Sequence, residues 1–395
     1  MRPADHADHA GRADRADRAG DAGDADGAPH EPRLSRPWWQ GRLFQVTLSL
    51  LVVVLIFGFL FPKLANYGEV WKTVRDMTWF EVATLALVAL WNLASYWPLL
   101  VAVQPGLRVR EAAVANLAST AIANTLPGGG ALGVGVTVGM QRTWGIPVGE
   151  IALAGVVSGI WNNFVKLGLP IVALGLLTAT GHTGAGLATA AVVGLVVLAG
   201  AITLFAMLLR TAALAARVGA LTGRAASAVV RPLHRGPFRD WDERAVRFRA
   251  DTIGLLKGRS WWITTATVVS HLSLYVVLLV ALRNVGVSND EIGWVRVLAA
   301  FAFVRLLSAV PLTPGGLGVV ELGLTAALGS GLPDTTKNQI AAAVLVYRAL
   351  TWFAPIPLGV VSWLFWRSNR SWRRTAEERR AWLASAPAIS VAGRA

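Results

Sequence analysis

A few ionisable side chains interrupt the apolar segments of the chain, and they are the residues best placed to do chemistry. They are Lys166, His271, Arg305, Glu321 and Arg348. A charge at the centre of a membrane helix costs about 2.5–3.5 kcal/mol on insertion scales, so each needs a partner or a water-lined cavity. We predict that Glu321 pairs with Arg305 or Arg348. Such a pair either serves a ligand or only fixes helix packing, and the sequence favours neither reading.

Two Pro-Gly sequences interrupt apolar segments and could bind an anion. Proline ends the incoming helix, and glycine lets the backbone approach a ligand closely. A helix broken at membrane depth also leaves unpaired N–H groups and a positive dipole end facing the gap. We therefore predict a site for an anionic group such as a lipid phosphate. Its candidate substrate-binding residues are Pro127, Gly128, Gly129, Pro314, Gly315, Gly316, Gly318, Glu321, Arg305, Arg348 and Lys166.

The inventory of reactive groups argues against catalysis. The chain has no cysteine, which excludes disulfides, thiolate metal sites and cysteine nucleophiles. Acid/base or metal chemistry needs several carboxylates or histidines near a membrane face, and Glu321 is the only acid well inside an apolar segment. The Gly-rich stretches lack the Lys-Ser/Thr of a phosphate-binding loop. We predict no enzyme activity, no metal and no cofactor.

Composition indicates the elements that must position these residues. The 395 residues are 54% hydrophobic and only 15% charged, whereas soluble domains carry about 25% charged residues. Long apolar runs alternate with short basic clusters, which is typical of many membrane crossings. The net charge is +14, and the arginine residues that carry it lie at the ends of these runs. We therefore exclude nucleic acid as a partner. The pattern predicts an all-α, polytopic membrane helix bundle.

Hydropathy divides the chain into three parts. Residues 1–36 are predicted to be a disordered, low-complexity cytoplasmic tail, residues 37–366 a transmembrane domain, and residues 367–395 a basic cytoplasmic tail. Six segments are long enough to span fully: 44–62, 79–103, 147–178, 184–209, 260–283 and 338–366. The shorter segments, 112–141 and 296–331, are predicted to form two re-entrant Pro-Gly-Gly hairpins. If they cross fully instead, the chain has 8–10 spans.

The segments also predict an internal duplication. The order of span, short helix, Pro-Gly-Gly, short helix and long span occurs at about 79–178 and again at about 260–366. Counting crossings gives the two units opposite orientation. Inverted repeats with broken helices are typical of transporters, and the interrupted segments point to the substrate site. Two Gly-rich loops that look alike by chance would give a similar pattern.

Arginine distribution predicts the orientation in the membrane. Arg210, Arg217, Arg224 and Arg231 recur every seven residues in the loop 210–259, which suits an amphipathic helix on the membrane surface. This loop, the C-terminal tail and the N-terminal tail are therefore predicted to be cytoplasmic. The location that follows is the cell inner (plasma) membrane.

The C-terminal third resembles a known family. Leu312 through Glu321, the run Tyr347 to Thr351, and Pro357-Leu358-Gly359 are similar to the lysylphosphatidylglycerol synthase transmembrane-region family of flippase-like proteins. The resemblance extends over roughly residues 44–366. The resemblance implies a lipid-translocating membrane domain. It also implies that Glu321 and Arg348 correspond to the family's Glu and Arg.

Three functions therefore stay open. The first is a flippase-like transporter that moves an anionic phospholipid or a polyprenyl-phosphate-linked lipid between leaflets. The second is a non-catalytic membrane scaffold for a cell-envelope lipid or glycan synthesis enzyme. The third, for which the residues give the least support, is a membrane glycosyltransferase or lipid transferase. The expected partners are the membrane, an anionic lipid and, under the second hypothesis, that synthesis enzyme.

Overall fold

A computed structural model describes residues 67–126, 129–181, 185–230, 241–308 and 316–385. All of them belong to one compact unit, Arg42–Ala395. The predicted tail at 1–36 and the predicted first span at 44–62 lie outside the described residues. So do four candidate site residues, which are Pro127, Gly128, Pro314 and Gly315.

Every regular element in the described residues is a helix. We number the α-helices α1 Tyr67–Arg75, α2 Trp79–Ser95, α3 Trp97–Val103, α4 Val109–Thr125, α5 Gly129–Thr143, α6 Val148–Ala179, α7 Ala185–Arg210, α8 Ala212–Val230, α9 Trp241–Leu256, α10 Ser260–Asn284, α11 Trp294–Leu307, α12 Val319–Gly329, α13 Asp334–Arg348, α14 Pro355–Ser368 and α15 Ala376–Ser385. This confirms the predicted all-α class.

Five segments of the described chain are long and apolar enough to cross a membrane. They are Trp79–Val103, Val148–Ala179, Thr189–Arg210, Ser260–Asn284 and Asp334–Ser368. They coincide with the five predicted full spans that begin at or after residue 79. The apolar window of α7 has none of its residues buried inside the protein, so this span faces its surroundings along its length.

Two of these spans are interrupted within their length. The span Trp79–Val103 breaks between α2 and α3, where Pro98 lies in the first turn of α3. The predicted long helix 338–366 is divided by a π-helical turn at Ala349–Phe353, and the Ala354 amide donates to the Ala349 carbonyl oxygen at 2.8 Å. This turn begins immediately after Arg348. Single π-turns inside α-helices are frequent at functional sites.

The helices pack in a reciprocal pattern. The helices of each short pair contact each other, α4 with α5 and α11 with α12. The long helix of each predicted unit packs on the first short helix of the other unit, α6 on α11 and α14 on α4, while α2 packs on α10. The main hydrophobic core lies among α10, α11, α12 and α13, where Val277, Phe301, Leu324 and Ile340 are almost completely buried.

Glycines permit the closest of these contacts. A Cβ on Gly359 of α14 would lie 2.3 Å from the Leu117 carbonyl oxygen of α4. A Cβ on Gly133 of α5 would lie 2.8 Å from the Ser119 carbonyl oxygen of α4. No real Cβ contact is this short, so a larger residue at either position requires the two helices to separate.

The Arg-rich loop 210–259 forms a helical hairpin. Helix α8 packs along α9, and Ala215, Gly219 and Gly223 are the buried residues of the contact face. A Cβ on Gly219 would lie 2.6 Å from both the Trp241 carbonyl oxygen and the Ala245 Cβ. Arg217 and Arg224 are exposed on α8, as the predicted amphipathic helix requires.

The C-terminal segment folds back onto the first short helix pair. Arg374 pairs with the buried Glu111 at the start of α4, and its amide donates to the Thr143 carbonyl oxygen at 2.9 Å. Burial lowers the pKa of the Arg374 guanidinium, and the Glu111 carboxylate opposes this effect. Arg379, only 4% exposed, pairs with Glu150 at 2.7 Å. Residues 370–385, predicted as part of a basic tail, are therefore docked.

Candidate functional site

A buried ion pair joins α12 to the end of α13. Arg348 Nε lies 2.7 Å from Glu321 Oε1, and their side chains are 11% and 2% exposed. The guanidinium of Arg348 also stacks over the Trp352 ring, 5.4 Å from its centroid. Of the two partners that the sequence allowed for Glu321, the structure selects Arg348.

The second oxygen of Glu321 is also occupied. Gly318, at φ 83°, precedes α12 and donates its amide to Glu321 Oε2 at 2.6 Å. This capping bond satisfies an amide that would otherwise be unpaired at the start of α12. The Gly318 amide therefore serves the protein's own carboxylate, which differs from the expected role of binding a ligand phosphate.

Gly129, the described glycine of the first Pro-Gly-Gly sequence, has a packing role. Its amide donates to the Leu126 carbonyl oxygen at 2.8 Å. A Cβ at this position would lie 2.5 Å from the Ile122 carbonyl oxygen at the end of α4. Gly129 thus lets α5 turn tightly against α4, and its amide is already paired. Gly316, at φ 70°, supplies the left-handed backbone that precedes α12.

Arg305 and Lys166 form a second charged group. Arg305 lies near the end of α11, Lys166 lies on α6, and the two helices pack together. The two cations are close enough to repel each other, and both also act on His271 of α10. Neither cation forms an ion pair with a carboxylate of the described residues. Arg305 Nε is buried without a hydrogen-bond partner in the described chain.

The two charged groups belong to one electrostatic neighbourhood. The charge of Arg305 acts on both Tyr347 and Arg348, so the Glu321–Arg348 pair and the Arg305–Lys166 group lie within electrostatic range of each other. With Glu321 offset by Arg348, the described residues of this neighbourhood leave the positive charges of Arg305 and Lys166 in excess. Inside an apolar bundle such a charge needs a counter-anion or water.

The end of the first short helix reaches the same neighbourhood. Asn124, three residues before Pro127, donates from Nδ2 to the Trp352 carbonyl oxygen at 2.9 Å. Trp352 lies in the π-helical turn that follows Arg348. The described residues that flank the first break therefore contact the turn beside the buried ion pair.

The structure thus brings together Lys166, Arg305, Glu321, Arg348 and the backbone of Gly318. Gly129 lies at the start of α5, where it packs on α4. Sequence reasoning missed Asn124, Trp352 and Tyr347, and it named His271 only among the ionisable residues inside apolar segments. In the structure His271 is 4% exposed, and its Nε2 has no partner among the described residues. The position of His271 in an apolar segment was the sequence signal for that residue. No such signal marks Trp352, which the π-helical turn places beside Arg348.

Comparison with known proteins agrees with the resemblance seen in the sequence. The family model described as the lysylphosphatidylglycerol synthase TM region matches residues 46–359. No curated protein and no solved structure matches the chain. The matched range contains both short helix pairs and every ionisable residue of the candidate site. The protein is therefore an integral membrane protein that belongs to the lysylphosphatidylglycerol synthase TM-region family.

Proposed function

We propose that the protein translocates an anionic lipid between the two leaflets of the membrane. The observation that carries this proposal is the pair of cations Arg305 and Lys166, which lie on two packed apolar helices, within electrostatic range of each other, and form no ion pair with a carboxylate of the described chain. A phosphate or phosphodiester supplies the missing negative charge. Because arginine binds phosphate through several donors, the guanidinium of Arg305 is the primary contact.

The proposed mechanism uses charge rather than backbone amides. The amides of Gly129 and Gly318 already donate within the protein, so the head group is held by the cations. The Glu321–Arg348 pair fixes α12 against the π-turn and gives the site a rigid wall. Reciprocal packing of the two predicted repeats supports an alternating exposure of this site to the two leaflets. The driving force is a gradient, the membrane potential or removal of the lipid on one side.

We further propose that the site has no catalytic role. Both carboxylate oxygens of Glu321 accept strong hydrogen bonds, one from Arg348 and one from Gly318, so no lone carboxylate is poised for acid/base work. The chain also contains an Asp-x-Asp sequence, Asp240 and Asp242, whose paired carboxylates would be candidates for acid/base or metal chemistry. Asp242 is exposed at the start of α9, and Asp240 lies outside the described residues.

Basic residues support the proposed orientation in the membrane, which we propose to be the plasma (inner) membrane. Arg217 and Arg224 are exposed on α8, which follows directly on the span that ends at Arg210. The docked C-terminal segment is also basic. Excess arginine in short connecting segments is the mark of the cytoplasmic side. We place the α8–α9 hairpin and both termini there.

Lipid exchange in reconstituted vesicles tests the proposal. Purified protein is reconstituted into phosphatidylcholine vesicles with a trace of fluorescent phosphatidylglycerol, and a membrane-impermeant quencher reports the fraction that reaches the outer leaflet. We expect exchange well above that of empty vesicles. Arg305→Gln and Lys166→Gln should each slow it about tenfold or more, since a charge-assisted contact to phosphate is worth about 1.5–3 kcal/mol.

The matched control is Arg296→Gln. Arg296 lies on the same helix as Arg305, but it donates to the Ser330 carbonyl oxygen at 3.1 Å, away from the charged neighbourhood. This variant should keep the wild-type exchange rate. Exchange by the wild type that equals that of empty vesicles for phosphatidylglycerol and for a polyprenyl phosphate would refute transport and favour the scaffold hypothesis. Equal rates for Arg305→Gln and Arg296→Gln would refute the site.

A further inference from the structure

An apolar cavity lies between the α8–α9 hairpin, the end of α7 and Ile160 of α6. Its volume is about 420 Å³, within the range of about 300–1,000 Å³ typical of ligand sites. Most of its wall is hydrophobic, and four helices contribute to it. The lining residues used below are Phe205, Leu208, Thr222, Arg244 and Arg249.

Cationic groups are the charged part of this wall. Arg244 is exposed while it lines the cavity, so it lies where the cavity opens. Arg249 donates from Nη2 to the Arg210 carbonyl oxygen at 3.1 Å, whereas its Nε is buried without a partner in the described chain. No carboxylate is among the described lining residues. The acidic residues of α9, such as Asp242 and Asp251, lie outside the wall.

The cavity is continuous with the lipid-facing surface of the protein. Phe205 and Leu208 of its wall belong to α7, the span whose apolar window has no residue buried inside the protein. The hydrocarbon chain of a lipid that moves along α7 therefore reaches the cavity without leaving apolar surroundings. An apolar chamber with a cationic opening beside a lipid-exposed span matches an amphiphile that has a hydrocarbon chain and an anionic head group.

We propose that this cavity binds one acyl chain of an anionic membrane amphiphile, with the head group at Arg244 and Arg249. The inference does not depend on transport, because the cavity and the Arg305–Lys166 group share no residue. Burial of the chain provides the affinity, and the two guanidinium groups select against neutral amphiphiles.

Thiol protection tests this site, because the chain has no cysteine of its own. Thr222→Cys places a single thiol on the cavity wall. Leu221→Cys, on the adjacent residue of α8 that is 57% exposed, is the matched control. Each full-length variant is reconstituted in phosphatidylcholine nanodiscs and reacted with a maleimide in the presence of oleate, neutral monoolein or inorganic phosphate.

Oleate should slow the reaction of Thr222→Cys and leave that of Leu221→Cys nearly unchanged. Adding Arg244→Gln to Thr222→Cys should weaken protection by oleate about two- to fivefold, as expected for an exposed ion pair, and leave protection by monoolein unchanged. Equal protection of both thiols, or of neither, overturns the site. Equal potency of oleate and monoolein overturns the anionic preference, and protection by phosphate alone overturns the requirement for a chain.

Discussion

Replacing Glu321 with glutamine should strongly destabilise the protein. The carboxylate is 2% exposed and lies 2.7 Å from Arg348 Nε, so its removal leaves a buried guanidinium without its counter-charge. Breaking a buried ion pair in this way costs about 3–5 kcal/mol. Glutamine keeps an oxygen that can accept from the Gly318 amide, so the capping bond survives and the measured loss reports the charge.

A double-mutant cycle separates this effect from packing. Arg348→Met alone should cost less than Glu321→Gln, because Glu321 keeps its bond from Gly318 and can take up a proton. The double variant Glu321→Gln/Arg348→Met has no unpaired charge, and it should recover about 1–3 kcal/mol of the loss expected from the sum of the single variants. Arg348 also stacks on the Trp352 ring. The methionine of the variant partly replaces this contact, because its side chain gives the ring an apolar neighbour.

The assay is unfolding by sodium dodecyl sulfate in mixed detergent micelles, followed by circular dichroism and tryptophan fluorescence. Coincident transitions from the two probes would justify a free energy from each variant. If Glu321→Gln stays within about 0.5 kcal/mol of the wild type, or if the single losses simply add, the pair does not stabilise the site and our reading of it fails.

Three further predictions follow from other contacts. Gly359→Ala should destabilise the protein by about 1–3 kcal/mol in the same assay, because its Cβ meets the α4 backbone, whereas Gly155→Ala, which meets open space, should be neutral or slightly stabilising. Glu111→Gln should release the C-terminal segment, seen as faster hydrogen exchange across residues 370–385, because the half-buried Arg374 guanidinium loses its carboxylate counter-charge. The Ser288 amide and hydroxyl hold the pKa of Glu291 below its usual 4.5, so the thermal midpoint should fall on acidification through that lowered pKa, and Glu291→Gln should weaken this pH dependence.

Each of these predictions has a result that contradicts it. Equal effects of the two Gly→Ala changes would mean that α14 can move away from α4 without loss. Unchanged exchange in the Glu111→Gln variant would mean that Arg379 alone holds the segment. A Glu291→Gln variant with the full acid dependence of the wild type would assign that dependence to other carboxylates.

Local sequence signals predicted most of the fold. Apolar length identified five spans of the described chain, because a bilayer-spanning helix needs about 20 apolar residues whatever its neighbours are. The Pro-Gly pairs marked both short helix pairs for the same local reason. The π-turn at Ala349–Phe353 was not foreseen, since one extra residue in a turn has no hydropathy signature. The docking of Arg374 on Glu111 joins positions 263 residues apart, beyond any local pattern.

The sequence by itself determined that the protein lies in a membrane and that Lys166, Arg305, Glu321 and Arg348 need partners there, because the energy of a buried charge depends on residue type and on the length of the apolar segment around it. Tertiary structure decided the pairing. Packing of α12 against α13 paired Glu321 with Arg348, and the Gly318 amide donates to the same carboxylate. Packing of α11 against α6 placed Arg305 within electrostatic range of Lys166. Which charge is satisfied and which is left for a ligand depends on distances of a few ångström between helices that are remote along the chain.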